Sequence, residues 1–445
     1  DFISPTTRYA LQFIMQLLLF IVLVFFAMIV GSLFVSYPEA VIPVWAQIPV
    51  AVWLGWKIRQ GKNELIWSIA ALLMLYAFVL IGVRFPLSLP FSNEVSVVIW
   101  CIILFVYVFF ASTIPVQKLL QPRDYINSHQ LMVAMAFLII GIFVAHPEFS
   151  APAINGSAFK PGSDVPDLAP VLFIVIACGA ISGFHSLASS GTTVKQVDNE
   201  MHTLPIGYGA MLTESFLAVL VIVAAGAGLG MGLETNVGLL HGADAYRHHY
   251  ASWSMASGLS AKLDAFIIGS ANLFSSLGLP LKYGAAFVVV FIVSFANTTL
   301  DSAARIQRIS LQEIFTRQNG IIRKPMNNRY LATAFIVLAA GGMAFFKPGG
   351  QGAMVLWPLF GSLNQLMAAL ALGVVTVYLA ARKIPVWYTM LPMLVILFLT
   401  LWAMVENLAG FIKDQEYLLV VLSTIILGLT AWLTISSLAA FLRRM

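Results

Sequence analysis

The sequence predicts an all-α integral membrane protein, a polytopic bundle of about twelve helices, and three observations carry that reading. Hydrophobic residues make up 60% of the chain and charged residues only 10%, whereas a soluble domain carries roughly a quarter charged. Apolar segments long enough to cross about 30 Å of hydrocarbon recur along all 445 residues, and mean hydropathy is +0.91. The period-two alternation of an outer-membrane barrel is absent. With no water at mid-bilayer the backbone must satisfy itself internally, so the spans are helices.

The expected spans run in order as follows. Arg8–Tyr37 comes first; it is too long for a signal peptide and has no small-residue cleavage site. Val41–Trp56 and Leu65–Val83 flank the basic segment holding Lys57, Arg59 and Lys62, and Val95–Pro115 and Gln130–His146 follow. After a long Pro-, Gly- and Ser-rich segment, His146–Ala169, come Pro170–Leu187 and Pro205–Gly232. A second long segment, Leu233–Pro280, ends in an amphipathic stretch over 259–279. Its Leu263, Phe266, Ile267, Phe274 and Leu277 keep helical spacing, which suggests a helix on the outer bilayer surface or over an outer vestibule. Leu281–Leu300 precedes the basic segment Asp301–Arg329, which is expected to begin as a continuation of that helix. Tyr330–Phe346, Ala353–Ala380, Pro385–Val405 and Tyr417–Phe441 complete the set, and 1–445 reads as one transmembrane domain.

Charge placement supports the count. With the start of the chain in the cytoplasm, 17 of the 24 basic residues fall on cytoplasmic segments: Arg8, Lys57, Arg59, Lys62, Lys118, Arg123, Lys195, Arg305, Arg308, Arg317, Arg323, Lys324, Arg329, Arg382, Lys383, Arg443 and Arg444. The opposite side holds Arg84, Lys160, Arg247, Lys262, Lys282, Lys347 and Lys413. This is the positive-inside asymmetry, and it puts both ends of the sequence in the cytoplasm. The basic residues are scattered over loops, so nucleic acid is not an expected partner. Cys101 and Cys178 lie inside spans and indicate no disulfide framework.

Four polar interruptions break the apolar pattern. "GAISGFHSLASSGTTVKQ" clusters Ser182, His185, Ser186, Ser189, Ser190, Thr192 and Thr193 with three glycines. Hydroxyls bonding back to carbonyls one turn earlier would explain isolated cases. A cluster that includes an imidazole favours a substrate or ion site over a packing motif. "SFANTTLDSAARIQR" places Asn297, Thr298, Thr299 and Asp301 at the inner end of a span, as a site or as an interfacial cap offset by Arg305. "LWPLFGSLNQLMAAL" holds Pro358, Gly361, Ser362, Asn364 and Gln365, and Pro358 predicts a kink or break with freed carbonyls nearby. Glu214, in "GYGAMLTESFLAVL", is either a proton carrier or a glutamate bonded to a neighbouring helix. Discontinuous helices bearing hydroxyls, amides and ionisable groups at mid-membrane are how secondary transporters build their sites.

Other motifs are weaker. "GAGLGMG", within Gly226–Gly232, resembles a dinucleotide loop but follows no strand, so helix packing explains it better. His241, Asp244, His248 and His249 on the outer segment match no standard zinc spacing, so no metal site is assigned there. No Walker motif or serine-nucleophile elbow is present, and neither an enzymatic activity nor a cofactor is expected.

"CGAISGFHSLASSGTTVKQ", "QPRDYIN", "IGYGAMLTES", "SFANTTLDSAARIQR" and "LWPLFGSLNQLMAALAL", in this order, resemble the motifs of the carbon starvation protein A family of pyruvate and peptide transporters. The resemblance covers nearly the whole chain. It implies a bacterial inner-membrane secondary transporter related to the amino acid–polyamine–cation superfamily, with a leucine-transporter-type core of inverted repeats. It also implies that further N-terminal helices carrying a "GAGP" motif are missing from this sequence, and with them a first broken helix of the site. The span with Ser189, Ser190, Thr192 and Thr193 would then be the eighth core helix. "ASTIPVQKLLQPRDY" would be the sixth, broken near Pro115.

The functional expectation is therefore an alternating-access importer of pyruvate or a short peptide, coupled to protons or sodium. Ser182, His185, Ser189, Ser190, Thr192, Thr193, Asn297, Thr298, Thr299, Asp301, Asn364 and Gln365 are the expected substrate or ion contacts. Glu214, Asp301 and His185 are the candidates for proton coupling. Pro115, Pro358 and Gly361 are the expected helix breaks. A channel, or a membrane-embedded sensor or metal-dependent enzyme, would use the same polar lining.

Overall fold

The computed structural model describes residues 5–156, 165–252, 259–315, 325–347 and 352–442. Lys160, Arg317, Arg323, Lys324, Arg443 and Arg444 of the charge pattern lie outside these residues. In chain order the helices are α1 (Pro5–Ser36), α2 (Val41–Arg59), α3 (Glu64–Arg84), α4 (Asn93–Thr113), α5 (Leu120–Ala145), α6 (Phe173–Ala180), α7 (Gly183–Gly191) and α8 (Ala210–Gly226). A small hairpin of β1 (Leu233–Thr235) and β2 (Gly238–Leu240) follows. Then come α9 (Gly242–His249), α10 (Leu259–Ser275), α11 (Leu281–Ile314), α12 (Arg329–Phe345), α13 (Gly352–Ala381), α14 (Trp387–Lys413) and α15 (Tyr417–Leu442). Among the described residues, eleven helical segments are long and apolar enough to cross a membrane. The twelfth expected span, Tyr330–Phe346, corresponds to α12, which at 17 residues falls in a shorter class.

The chain divides into two compact units. Unit 1 comprises 1–25, 166–197 and 302–445; unit 2 comprises 26–165 and 198–301.

In unit 1, α13 pairs with α14, and α15 adds to α14. α6 and α7 lie on α13 through a core of Ala177, Ala369 and Ile396, with Phe173 and Leu397 packed against it. Phe25 of α1 stacks on Trp357 with ring centroids 3.8 Å apart, and Phe360 extends the stack. Gln16 of α1 and Gln307 of α11 each donate an amide N–H to the other's backbone carbonyl, at 3.1 and 3.4 Å. α12 starts on Asn328, whose side chain accepts from the Tyr330 and Leu331 amides, two of the donors a helix start leaves open. α13 runs through Pro358 and Gly361 without interruption, so the break expected there does not form. Pro358 is the seventh residue of the helix, so only a carbonyl near its start loses a partner.

In unit 2, α2 and α3 form a hairpin and α5 packs on both. α5 begins at Leu120, ten residues before the span expected from hydropathy. Pro122 sits in its first turn, where the missing N–H would have had no helical partner. The early start places Arg123 within the first turn of α5, completely buried. α10 packs on α8 and α5 through one face, with Ile267, Leu273 and Phe274 buried. Gly228 and Gly269 make this possible, because a Cβ on either would run into the facing backbone. Buried Asn272 then donates to the Gly228 and Gly232 carbonyls at 2.9 and 2.8 Å. Phe137, Phe274 and Phe287 close the contact between α5, α10 and α11.

Candidate functional site

The polar stretch after Cys178 is a broken helix. α6 ends at Ala180, Ile181 and Ser182 leave the helical conformation, and α7 starts at Gly183. A break strands amide donors at the start of the second segment, and Asn364 of α13 supplies what the backbone lost. Its Oδ1 accepts from the Phe184 amide at 2.8 Å and from the Ser182 hydroxyl at 3.2 Å. Its Nδ2 donates to Cys178 Sγ at 3.0 Å, so one buried side chain holds both sides of the gap. Contact is close because residue 183 is glycine: a Cβ there would collide with the Asn364 carbonyl and Met367 and come within 2.7 Å of the Ala368 nitrogen. Asn364 therefore clamps the break.

The hydroxyls of this stretch donate locally. Ser186 donates to the Gly183 carbonyl at 2.6 Å, Ser189 and Ser190 to Ser186 at 3.1 and 2.8 Å, and Thr192 to Ala188 at 2.8 Å. Thr193 makes a longer contact to the same Ala188 carbonyl, 3.5 Å. This is the back-bonding geometry weighed from the sequence. It uses up the donor and leaves the oxygen lone pairs open. His185, Ser189 and Ser190 are exposed within unit 1, while Ser182, Thr192 and Thr193 are half-buried. Gln365, next to the clamp, is fully buried, and neither of its amide atoms has a protein partner among the described residues.

Unit 2 holds a second polar cluster, around Asp301. α11 carries the chain past Leu300 as a continuous helix, so Asp301 caps no helix end, and it is 1% exposed. Arg123 Nη1 donates to its Oδ2 at 2.9 Å, and Tyr107 donates its phenolic O–H to the same oxygen at 2.7 Å while accepting from Arg123. Arg123 Nε donates to Gln47 Oε1 at 3.2 Å, and Gln47 in turn donates to Asn127. Asn127 makes a long contact, 3.4 Å, to the Ser294 carbonyl. Asp301 and Ser294 on α11 thus face Arg123 and Asn127 on α5, the two helices running in opposite directions. A buried carboxylate is tolerable here because a guanidinium and a phenol share its charge.

The remaining expected residues are dispersed. Asn297 and Thr298 are buried in unit 2, and Thr298 and Thr299 both donate back to the Phe295 carbonyl. Glu214 is exposed within unit 2, on α8. Pro115 lies in the extended link between α4 and α5, so a helix does end beside it. His241 Nδ1 pairs with the Met231 carbonyl at 2.8 Å. Among the described residues no three His, Cys, Asp or Glu side chains are placed to hold a metal ion. A cavity of about 700 Å³ in unit 2, with Tyr37, His241, Asn272 and Lys282 in its wall, contains none of the expected site residues. Arg123, Tyr107, Gln47 and Asn127 were missed. The available clue was the i, i+4, i+7 spacing of Arg123, Asn127 and Gln130 within and after "QPRDYIN", one face of a helix carrying only polar groups.

Comparison with known proteins points to one family. The family model for carbon starvation protein CstA covers residues 1–403. The peptide transporter CstA of Mycobacterium tuberculosis is 31% identical over 408 residues, 80% of this chain and 52% of that protein. The peptide transporter CstA of Campylobacter jejuni is 29% identical over 447 residues, 90% of this chain and 62% of the relative. The pyruvate/proton symporter BtsT of Escherichia coli is 30% identical over 457 residues, 87% of this chain and 62% of that protein. The chain therefore spans between about half and under two thirds of the length of these relatives. With the family model matched across most of its length, the chain belongs to the carbon starvation protein CstA family.

Proposed function

We propose that this chain is the transport domain of an alternating-access importer for a small carboxylate such as pyruvate, or a short peptide, driven by the proton gradient across a bacterial inner membrane. The observation that carries the reading is the broken helix at Ile181–Ser182, held open by a buried asparagine. A break in a span exposes a half-helix amino end, which attracts carboxylates, and frees carbonyls, which attract cations. The back-bonded hydroxyls of Ser189, Ser190, Thr192 and Thr193 leave acceptor lone pairs for an ion or a substrate N–H, and His185 adds a titratable donor beside them. Gln365 is a buried amide available to the pathway.

Relatives named as peptide transporters and as a pyruvate/proton symporter favour these cargoes and favour protons over sodium. Glu214, Asp301 and His185 are the proton-coupling groups of this reading. The leucine-transporter-type repeat core and the cytoplasmic placement of both ends of the sequence belong to it as well.

The test is reconstitution of the purified protein into proteoliposomes, with labelled pyruvate and a labelled dipeptide under imposed proton and sodium gradients separately. Accumulation above the outside concentration, collapsing with a protonophore, is the expected result. Fast equilibration without accumulation would make the protein a channel. His185→Ala and the pair Ser189→Ala/Thr193→Ala should fold and insert yet lose at least nine tenths of uptake. Full uptake by both would remove the broken helix from the site.

A further inference from the structure

Besides its ion pair, the buried cluster of unit 2 contains a row of polar atoms that the protein leaves unanswered. Arg123 Nη2, both amide atoms of Gln130, Ser294 Oγ, Asn297 Oδ1 and Trp45 Nε1 are buried and have no hydrogen-bond partner among the described residues. Arg123, Gln130 and Ser294 are each 0% exposed. Arg123, Asn127 and Gln130 fall on one face of α5 over about 10 Å. Ser294, Asn297 and Asp301 fall on one face of α11, and the two faces meet at Arg123–Asp301 and Asn127–Ser294. Trp45 packs edge-on to Tyr107, at the charged end of the same row.

Buried groups of this kind are nearly always satisfied, by protein or by ordered water. The atoms here include donors and acceptors, none of them charged apart from the guanidinium, whose charge Asp301 balances. That mixture suits water better than a metal cation, which Arg123 would repel, or an anion, which Asp301 would repel. At about three hydrogen bonds per buried water, six atoms call for about two molecules.

We infer that α5 and α11 enclose a strip of bound water between Gln130 and Arg123, and that this strip is the route by which the coupling proton reaches Asp301. The inference rests on the proton-coupled reading above and names the group and path it would use. A proton entering beside Gln130 passes along the waters, each oxygen accepting one proton and releasing another. The Asp301 carboxylate takes the last proton and gives it up when the path drains. Neutralising Asp301 would strand the Arg123 charge in a dry interior, and water at Nη2 removes that obstacle by solvating the guanidinium. Among the described residues of unit 2, the charged and titratable groups around Asp301 are Arg123 and Asp124 on α5 and Tyr107 on α4.

The test compares Gln130→Leu, which keeps volume and deletes both amide atoms, with the wild type and Gln130→Ser in proteoliposomes. Two rates are read: uptake driven by a proton gradient, and exchange of labelled for unlabelled pyruvate, which needs no net proton movement. The strip predicts that Gln130→Leu loses at least tenfold in driven uptake while exchange stays within twofold, and that Gln130→Ser, which keeps a polar oxygen, recovers most of the uptake. Unchanged uptake in Gln130→Leu, or equal loss of both rates, overturns it. Hydroxyl-radical footprinting of the wild type reports on the water directly: labelling of Trp45 and Tyr107 at levels above other buried rings supports the strip, and protection of both rings overturns it. If the wild type shows neither uptake nor exchange, the transport reading fails, and footprinting still decides whether the strip is wet.

Discussion

Residue 183 shows how one atom decides local architecture. A methyl group at Gly183 would press into the α13 backbone, and overpacking of this kind costs about 1–3 kcal/mol. Gly183→Ala should therefore lower the melting temperature in detergent and separate α7 from the Asn364 clamp. Asn364→Ala should behave similarly, because the Phe184 amide and Ser182 hydroxyl each lose a buried acceptor, worth about 1–3 kcal/mol apiece. Asn364→Asp keeps an acceptor but puts an acid at a site only 1% exposed, so it should melt below the wild type at neutral pH and recover as the pH is lowered and the carboxyl is protonated. Away from the spans, burial pushes the Asp264 carboxyl above its ordinary range, partly offset by the Tyr37 hydroxyl, which donates to it at 2.8 Å, and by His249. The folded protein thus binds this proton more readily than the unfolded chain. Asp264 favours the fold below the ordinary carboxylate pKa, and this contribution is lost as pH rises through the raised value. Asp264→Asn should flatten that dependence, seen as a smaller fall in melting temperature between pH 4 and pH 8.

Helix pairs carry the next layer, and they mark where reading the sequence succeeds and where it stops. Span lengths follow from bilayer thickness, so hydropathy finds α1 to α4, α13 and α15 closely, while α14 runs eight residues past its expected end. The break after Ala180 is legible because glycines and hydroxyls interrupt an apolar run. The clamp is not legible: Asn364 lies 182 residues from Ser182 and 180 from Phe184, and nothing local announces the pairing. The same holds for Arg123, whose partner is 178 residues away. Its charge and that of Asp124 lower the local hydropathy, which is why α5 looked ten residues shorter than it is. Removing one member of such a pair leaves an uncompensated charge, at about 3–5 kcal/mol, whereas replacing both with apolar residues is often neutral. Arg123→Leu and Asp301→Leu should each destabilise unit 2 strongly, and the double variant should recover most of the melting temperature. Additive losses in the double variant would mean that the two side chains act independently.

At the scale of the whole molecule, the two units are threaded through each other in sequence: unit 1 takes the first 25 residues, a short middle stretch and everything after 301. The exchange of amides between Gln16 and Gln307 closes unit 1 across 291 residues of chain. Ribosomes add roughly 5–20 residues per second, so about 15–60 s separate the synthesis of the two glutamines. During that interval the first helix sits in the bilayer with Gln16 unmet by its final partner. Nascent α1 therefore needs a temporary companion, whether insertion machinery or an earlier neighbour, and a ribosome stalled before the Gln307 codon would leave this helix as a target for membrane quality control.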